Sequence, residues 1–99
     1  MLMSDVITKV QNWYVSQCNG DWEHTHGVSI DTLDNPGWTV KIDLKNTPWE
    51  KVHFEELIFD RAPNDWVRCK KEGGQFKGCG DPSKLEFILN YFLGQVGSK

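Results

Sequence analysis

The sequence predicts a single α+β domain spanning residues 1–99: an N-terminal helix, an antiparallel sheet of about five strands with two hairpins, and a C-terminal helix. Apolar residues repeat every three or four positions near both ends of the chain and mostly every second position between them. A chain of 99 residues has room for one hydrophobic core. Placing both helices on one face of the sheet is the simplest way to bury every apolar side.

The first helix is predicted over residues 5 to 17. Ser4 and Asp5 offer an N-cap, and Asn19 and Gly20 tolerate the left-handed conformation that ends a helix. The apolar stripe between these signals consists of Val6, Ile7, Val10, Trp13, Tyr14 and Cys18.

A hairpin follows from Val28, where "VSIDTL" is separated from "WTVKIDL" by "DNPG". Pro36 and Gly37 suit the two central positions of a type II turn, with Gly37 at positive φ. The second of these strands alternates between two faces. One face carries Trp38, Val40, Ile42 and Leu44, and the other carries Thr39, Lys41 and Asp43.

The third strand is predicted in "KVHFEELIFD". Its apolar positions fit neither the helical period of three to four residues nor the strand period of two, so we expect a bulge or an irregular start. "APND" forms the next turn. "WVRCKKE" and "QFKGCG" then form the second hairpin around Gly73-Gly74. Its basic residues are interpreted as charges that protect a sheet edge. They are Arg68, Lys70, Lys71 and Lys77.

The last helix lies in "DPSKLEFILNYFLGQV". Asp81 is the predicted N-cap and Pro82 the first helical residue. The apolar stripe consists of Leu85, Ile88, Leu89, Phe92 and Val96.

The charge distribution favours a basic partner over nucleic acid. Residues 1–60 hold ten acids against four bases, and residues 61–99 hold four against seven. The net charge is −3, and the acidic part dominates the long-range field. Five basic residues with Trp66 and Phe76 as stacking rings are a weaker alternative that would bind single strands. The five are Arg61, Arg68, Lys70, Lys71 and Lys77.

Cysteine usage and hydropathy predict a cytoplasmic protein. Three cysteines without a C-x-x-C pair make neither a disulfide framework nor a zinc knuckle. No basic segment followed by an apolar run indicates export, and no apolar stretch approaches the roughly 20 residues that a membrane span needs.

The stretch "QCNGDWEHTHG" gathers the residues that could carry chemistry. Cys18, His24 and His26 resemble no common arrangement of zinc ligands. Cys18 near His24 and the carboxylates of Asp21 and Glu23 are the local candidates for catalysis, but Cys18 continues the apolar stripe and nothing predicts buried acids. We therefore assign no catalytic residue, metal or cofactor. A small metal- or ligand-binding module built on this corner and the tryptophans is the alternative.

Two long segments resemble the immunity protein 53 family of bacterial polymorphic toxin systems. They are "WYVSQCNGDWEHTHGVSIDTLDNPGWTVKIDL" over residues 13–44 and "NDWVRCKKEGGQFKGCGDPSKLEFIL" over residues 64–89. The resemblance implies a cytoplasmic antidote, encoded beside a toxin, that binds the toxin domain and blocks it without catalysis. A nuclease toxin would suit an acidic inhibitor. The oligomeric state is left open.

Candidate partner-binding residues come from the corner before the first hairpin and from the acidic strands. Carboxylates there would meet basic groups of a toxin, and Trp22 or His24 would supply an anchor. Trp22 has a second interpretation, a buried side chain that completes the core. The candidates are Asp21, Trp22, Glu23, His24, Asp31, Asp34 and Asp43.

Overall fold

The computed structural model describes residues 4–97 and confirms the predicted α+β fold. The chain forms a helix, a short 3-10 helix, five strands and a second helix. Their bounds are α1 (Ser4–Gln17), the 3-10 helix (Trp22–His24), β1 (Val28–Leu33), β2 (Gly37–Asp43), β3 (Leu57–Ala62), β4 (Asp65–Glu72), β5 (Gln75–Gly80) and α2 (Leu85–Gln95).

The five strands form one antiparallel sheet in the order β1-β2-β5-β4-β3. A short turn joins β3 directly to β4, which adds a third hairpin to the two predicted ones. Since β4 and β5 are interior strands, their basic residues do not protect a sheet edge, and that interpretation was wrong. The edge strands are β1 and β3.

Both helices lie on one side of the sheet: α2 packs on β2, β4 and β5, and α1 packs on α2. Gly78 allows the close approach of α2, because a Cβ there would lie 2.5 Å from Cγ2 of Ile88. Among the described residues, neither helix is long and apolar enough to cross a membrane. The fully buried side chains at the centre include Val40, Ile42, Phe76, Ile88 and Phe92.

The apolar stripe of α1 is buried at Val6, Val10 and Trp13, as its spacing predicted, whereas Ile7 is 50% exposed. The N-cap predicted at Ser4 concerns a side chain outside the described part of the structure. The predicted stripe of α2 is buried at Ile88, Leu89, Phe92 and Val96, whereas Leu85 is half-buried; Leu93 is buried in addition.

Two predictions of local backbone structure were wrong, one for a turn and one for a helix start. Gly37 does not have positive φ; it is the first residue of β2, and a Cβ there would collide with the carbonyl oxygen of Gly80. Asp81 does not cap a helix and Pro82 is not a helical residue, because α2 begins at Leu85. The acid is 1% exposed and accepts hydrogen bonds from the backbone N–H of Trp66 at 2.8 Å and from the Lys84 ammonium at 2.8 Å.

The hydrogen bonds to Asp81 explain why its carboxylate is ionised inside the protein. Burial opposes ionisation, but the donors from Lys84, Ser83 and Trp66 together hold the pKa of Asp81 well below its ordinary value. Lys84 also donates to Asp65 at 2.8 Å. Asp81 therefore ties the start of β4 to the segment before α2.

Residues 44–56 connect β2 to the edge strand β3 without regular strand structure, so the irregular start predicted for this segment is confirmed. A register shift between Asp60 and Ala62 adds an irregularity near the end of β3. Lys71 holds the connection in place. Its ammonium donates to the carbonyl oxygens of Trp49, Glu50 and Val52 at 3.0, 2.6 and 2.5 Å.

Candidate functional site

The corner between α1 and β1 is held by its own polar side chains. The Asn19 side chain accepts hydrogen bonds from the N–H groups of Asp21 and Trp22 at 3.0 and 2.9 Å. The carboxylate of Glu23 accepts from the N–H groups of Asn19 and Gly20 at 2.9 and 2.8 Å. Hydrogen bonds from the backbone of Glu23 itself and of these two residues lower the pKa of Glu23. Glu23 therefore has a structural role in the corner.

Trp22 belongs to the core, since only 3% of it is exposed. Its ring lies edge-on to Trp13, with 6.2 Å between centroids, and 6.1 Å from Tyr14. Its indole N–H donates to the carbonyl oxygen of Lys45 at 2.8 Å. The 3-10 helix thus anchors the corner to the end of β2 through this one side chain.

Asp43 is also engaged within the protein. Its two carboxylate oxygens accept from the backbone N–H of Gly27 at 2.9 Å and from the Gln75 side chain at 2.7 Å. Nδ1 of His26 lies 3.9 Å from the same carboxylate. These contacts connect the start of β1 to β2 and β5.

The residues of the metal-binding alternative do not converge. His24 is exposed, His26 lies against Trp22 with 5.7 Å between ring centroids, and the Cys18 thiol donates to the carbonyl oxygen of Tyr14 at 3.3 Å. Over residues 4–97, no three His, Cys, Asp or Glu side chains come close enough together to hold a metal ion.

Three of the predicted contact acids are exposed: Asp21 in the corner, Asp31 in β1 and Asp34 in the turn between β1 and β2. We call them the acidic edge. Within the described residues, none of their carboxylates makes a side-chain hydrogen bond or an ion pair. The same holds for His24, the fourth candidate left on the surface. These side chains are available to a partner.

An apolar groove of about 380 Å³, which the hydropathy pattern does not predict, lies between α1 and β1. Ile7 is 50% exposed and Ile30 is 40% exposed. The periodicity of α1 placed Ile7 inside the core stripe, and only the position of β1 reveals that it borders an open groove. The apolar lining consists of Ile7, Val10, Tyr14, Val28, Ile30 and Leu89.

The strand edge beside this groove is open, because β1 pairs only with β2 among the residues that the structure describes. Backbone donors and acceptors along such an edge are free to meet another chain. An apolar centre bordered by polar residues is the usual anatomy of a protein-protein interface. The apolar groove, the β1 edge and the acidic edge together are suited to bind a protein.

The basic residues of β4 and β5 do not form the predicted stacking surface for nucleic acid. Of the two predicted rings, Phe76 is fully buried, and Trp66 is half-buried beside Arg68. The Lys71 ammonium is engaged by the 44–56 connection. Arg68 lies on the sheet face that the helices leave uncovered, as do Lys70 and Lys77.

The family model Immunity protein 53 matches the chain over residues 7–97. Neither the curated proteins nor the solved structures contain a significant match to the chain. The family match spans most of α1, the corner, the whole sheet and α2, so it includes every surface described above. On this evidence the chain belongs to the immunity protein 53 family.

Proposed function

We propose that this protein protects a toxin-producing bacterium by binding a cognate toxin domain in the cytoplasm and blocking it as a stoichiometric complex, without catalysis of its own. The family match over residues 7–97 is the observation that carries the proposal. The open groove and strand edge at β1 support it, because they provide a surface with protein-binding character.

The toxin contact is proposed at the apolar groove and the acidic edge. Ile7 and Ile30 would supply the apolar area that excludes water at the centre of the interface. Asp21, Asp31 and Asp34 would pair with basic groups around it, which raises the association rate and sets orientation more than it adds affinity. Glu23, Trp22 and Asp43 would support the surface from within, and His24 would lie at its margin.

A nuclease is the toxin class that the acidic edge suits best. A nuclease has to present basic groups to the phosphates of its substrate. Exposed carboxylates without internal partners would bind those basic groups in place of the phosphates. A bound inhibitor would then cover the surface that nucleic acid needs.

Co-expression in a heterologous bacterial host tests the function. We expect the gene of this chain to lie beside a gene for a large protein; the C-terminal domain of that protein is induced with and without the chain, and growth is followed. We expect arrest by the toxin domain alone, restored growth with the chain, and a stoichiometric complex by light scattering after size exclusion. Arrest that persists when the chain is in excess would overturn the proposal, as would a neighbouring domain that causes no arrest.

Charge reversal tests the proposed contact surface separately. The variant carries Asp21→Lys, Asp31→Lys and Asp34→Lys. The control carries the same charge change at exposed acids elsewhere, through Asp5→Lys, Glu55→Lys and Glu86→Lys.

Binding kinetics at two salt concentrations should show a loss of roughly tenfold or more in association rate for the first variant, most evident at low salt, and a smaller loss for the control. Equal association rates for the two variants would show that the acidic edge does not contact the toxin. That result would stand even if the chain neutralises the toxin in the growth experiment.

A further inference from the structure

Three lysines lie directly opposite one another on the uncovered face of the sheet. Lys41 of β2 pairs with Lys77 of β5, and Lys77 pairs with Lys70 of β4. Val40 and Ile42 are buried on the helix side, so alternation places Lys41 on the other face. We call Lys41, Lys77 and Lys70 the lysine row.

The lysine row opposes the stability of the sheet. Adjacent strands are about 4.8 Å apart, and like charges directly opposite one another are destabilising. Glu72 relieves part of the repulsion, since it lies 3.5 Å from the Lys70 ammonium and 3.3 Å from that of Lys77. The pKa of Glu72 is lowered by these two lysines, and the hydrogen bond from Lys77 has the largest effect. Lys41 has no carboxylate within 4 Å among residues 4–97.

The surroundings of the lysine row form a depression of about 360 Å³. Arg68 lies one row away, paired across the strands with Cys79, and contacts Asp60 at 3.1 Å. Ile58, which is 63% exposed, contributes an apolar wall. Four cations therefore line the depression together with the carboxylate of Glu56. Glu72 contacts two of these cations and Asp60 a third, both from outside the lining.

We propose that the lysine row docks a carboxylate-rich protein segment of the toxin domain, an inference that rests on the proposed function. Acids at positions i and i+4 of a helix are about 5–6 Å apart, which matches the strand spacing that separates the lysines. Because β1 adjoins β2, this site extends the interface from the acidic edge onto the sheet face. Neighbouring patches of opposite sign would fix the orientation of the toxin and reject non-cognate toxins.

Charge complementarity favours a short acidic segment over nucleic acid. The row spans two strand spacings, about 10 Å, whereas duplex DNA carries a charge about every 1.7 Å and continues beyond that length. A longer polyanion would meet the acids that border the row on the same face. They are Asp31, Asp43, Glu56, Asp60 and Glu72.

Neutralising the row tests the site without threatening the fold. The variant carries Lys41→Gln, Lys70→Gln and Lys77→Gln, and the control carries Lys9→Gln, Lys45→Gln and Lys51→Gln. Because the substitution removes like-charge repulsion, we expect an unchanged or raised melting temperature together with at least tenfold weaker toxin binding. The control should bind within threefold of the wild-type protein.

Cys79 reports occupancy of the site directly, because it lies between Thr39 and Arg68 on the same face. Cys69 is buried, and burial, with a smaller contribution from Cys79, raises the pKa of its thiol to about 12. In a Cys18→Ser background, alkylation at pH 8 therefore follows Cys79. Saturating toxin domain should slow this alkylation at least fivefold.

In these two experiments, full toxin affinity of the glutamine variant or unchanged Cys79 alkylation in the complex would overturn the inference. Either outcome leaves the proposed function intact if growth protection persists.

A synthetic helical peptide with glutamates at i, i+4 and i+8, compared with a ten-nucleotide single strand, tests the site without the toxin. Preference for the peptide supports the site, and preference for the oligonucleotide assigns it to nucleic acid and overturns the proposal.

Discussion

Substitution of Trp22 separates a core role from an anchor role in the toxin interface. The side chain is 3% exposed, and an indole of about 200 Å² buried at about 25 cal/mol/Å² contributes about 5 kcal/mol. Measured Trp→Ala changes in cores cost about 3–5 kcal/mol. A domain of this size has a free energy of unfolding of about 5–15 kcal/mol, so Trp22→Ala should remove a large part of it.

Trp22→Phe is the more informative change, because it keeps an aromatic ring against Trp13 while removing the indole N–H that donates to Lys45. The lost hydrogen bond costs about 1 kcal/mol, and the smaller ring brings the total to about 1–3 kcal/mol. At about 4–8 °C per kcal/mol, the melting temperature should fall by roughly 4–24 °C.

Urea denaturation followed by far-ultraviolet circular dichroism measures both variants independently of tryptophan fluorescence. Trp66→Phe is the matched control, since that indole is half-buried on the open sheet face and should cost less than about 1 kcal/mol. A Trp22→Phe protein within 0.5 kcal/mol of wild type would refute the core assignment. So would a fully folded variant that has lost toxin binding.

Two further predictions concern Asp81 and Gly78. Asp81→Asn should lower the free energy of unfolding by roughly 3 kcal/mol at pH 7. Because folding lowers the pKa of Asp81 from 3.8, this difference should be complete above about pH 5 and shrink as pH falls below 4, and a difference that stays constant to pH 2.5 would contradict it. Gly78→Ala should cost about 1–3 kcal/mol by pushing α2 away through Ile88, and Ile88→Leu, which lacks the Cγ2 branch that the new methyl group would meet, should recover part of that loss. Urea denaturation of the two single variants and the double variant measures the coupling between positions 78 and 88. If the free-energy costs of the single substitutions simply add in the double variant, the contact between these positions is contradicted.

The local predictions that held were those in which neighbouring residues decide the conformation. The three-and-four spacing of Val6, Val10 and Trp13 produced a helix, and the alternation around Val40 and Ile42 produced a half-buried strand. In both patterns the spacing of the apolar side chains shows which side of the segment is removed from water. That spacing is a property of each segment and does not depend on its neighbours in the fold.

Asp81 shows where local signals fail. Asp-Pro before an apolar run indicates a helix start, yet the carboxylate is taken by the N–H of Trp66 and the ammonium of Lys84. A buried N–H without a partner is costly, so the acceptor is placed where the tertiary structure needs it. In the same way, the corner at Trp22 is closed by the carbonyl of Lys45, which belongs to a distant segment.

The family was recognisable from the sequence by itself, and so were the element types and the excess of acids in the first sixty residues. The tertiary structure decided which acids remain free for a partner, because Glu23 and Asp43 are engaged by backbone and side-chain donors whereas Asp31 is not. It also created the lysine row, since only the pairing of β2 with β5 brings Lys41 opposite Lys77. Strand pairing joins residues far apart in the chain, and no local pattern encodes which strands become neighbours.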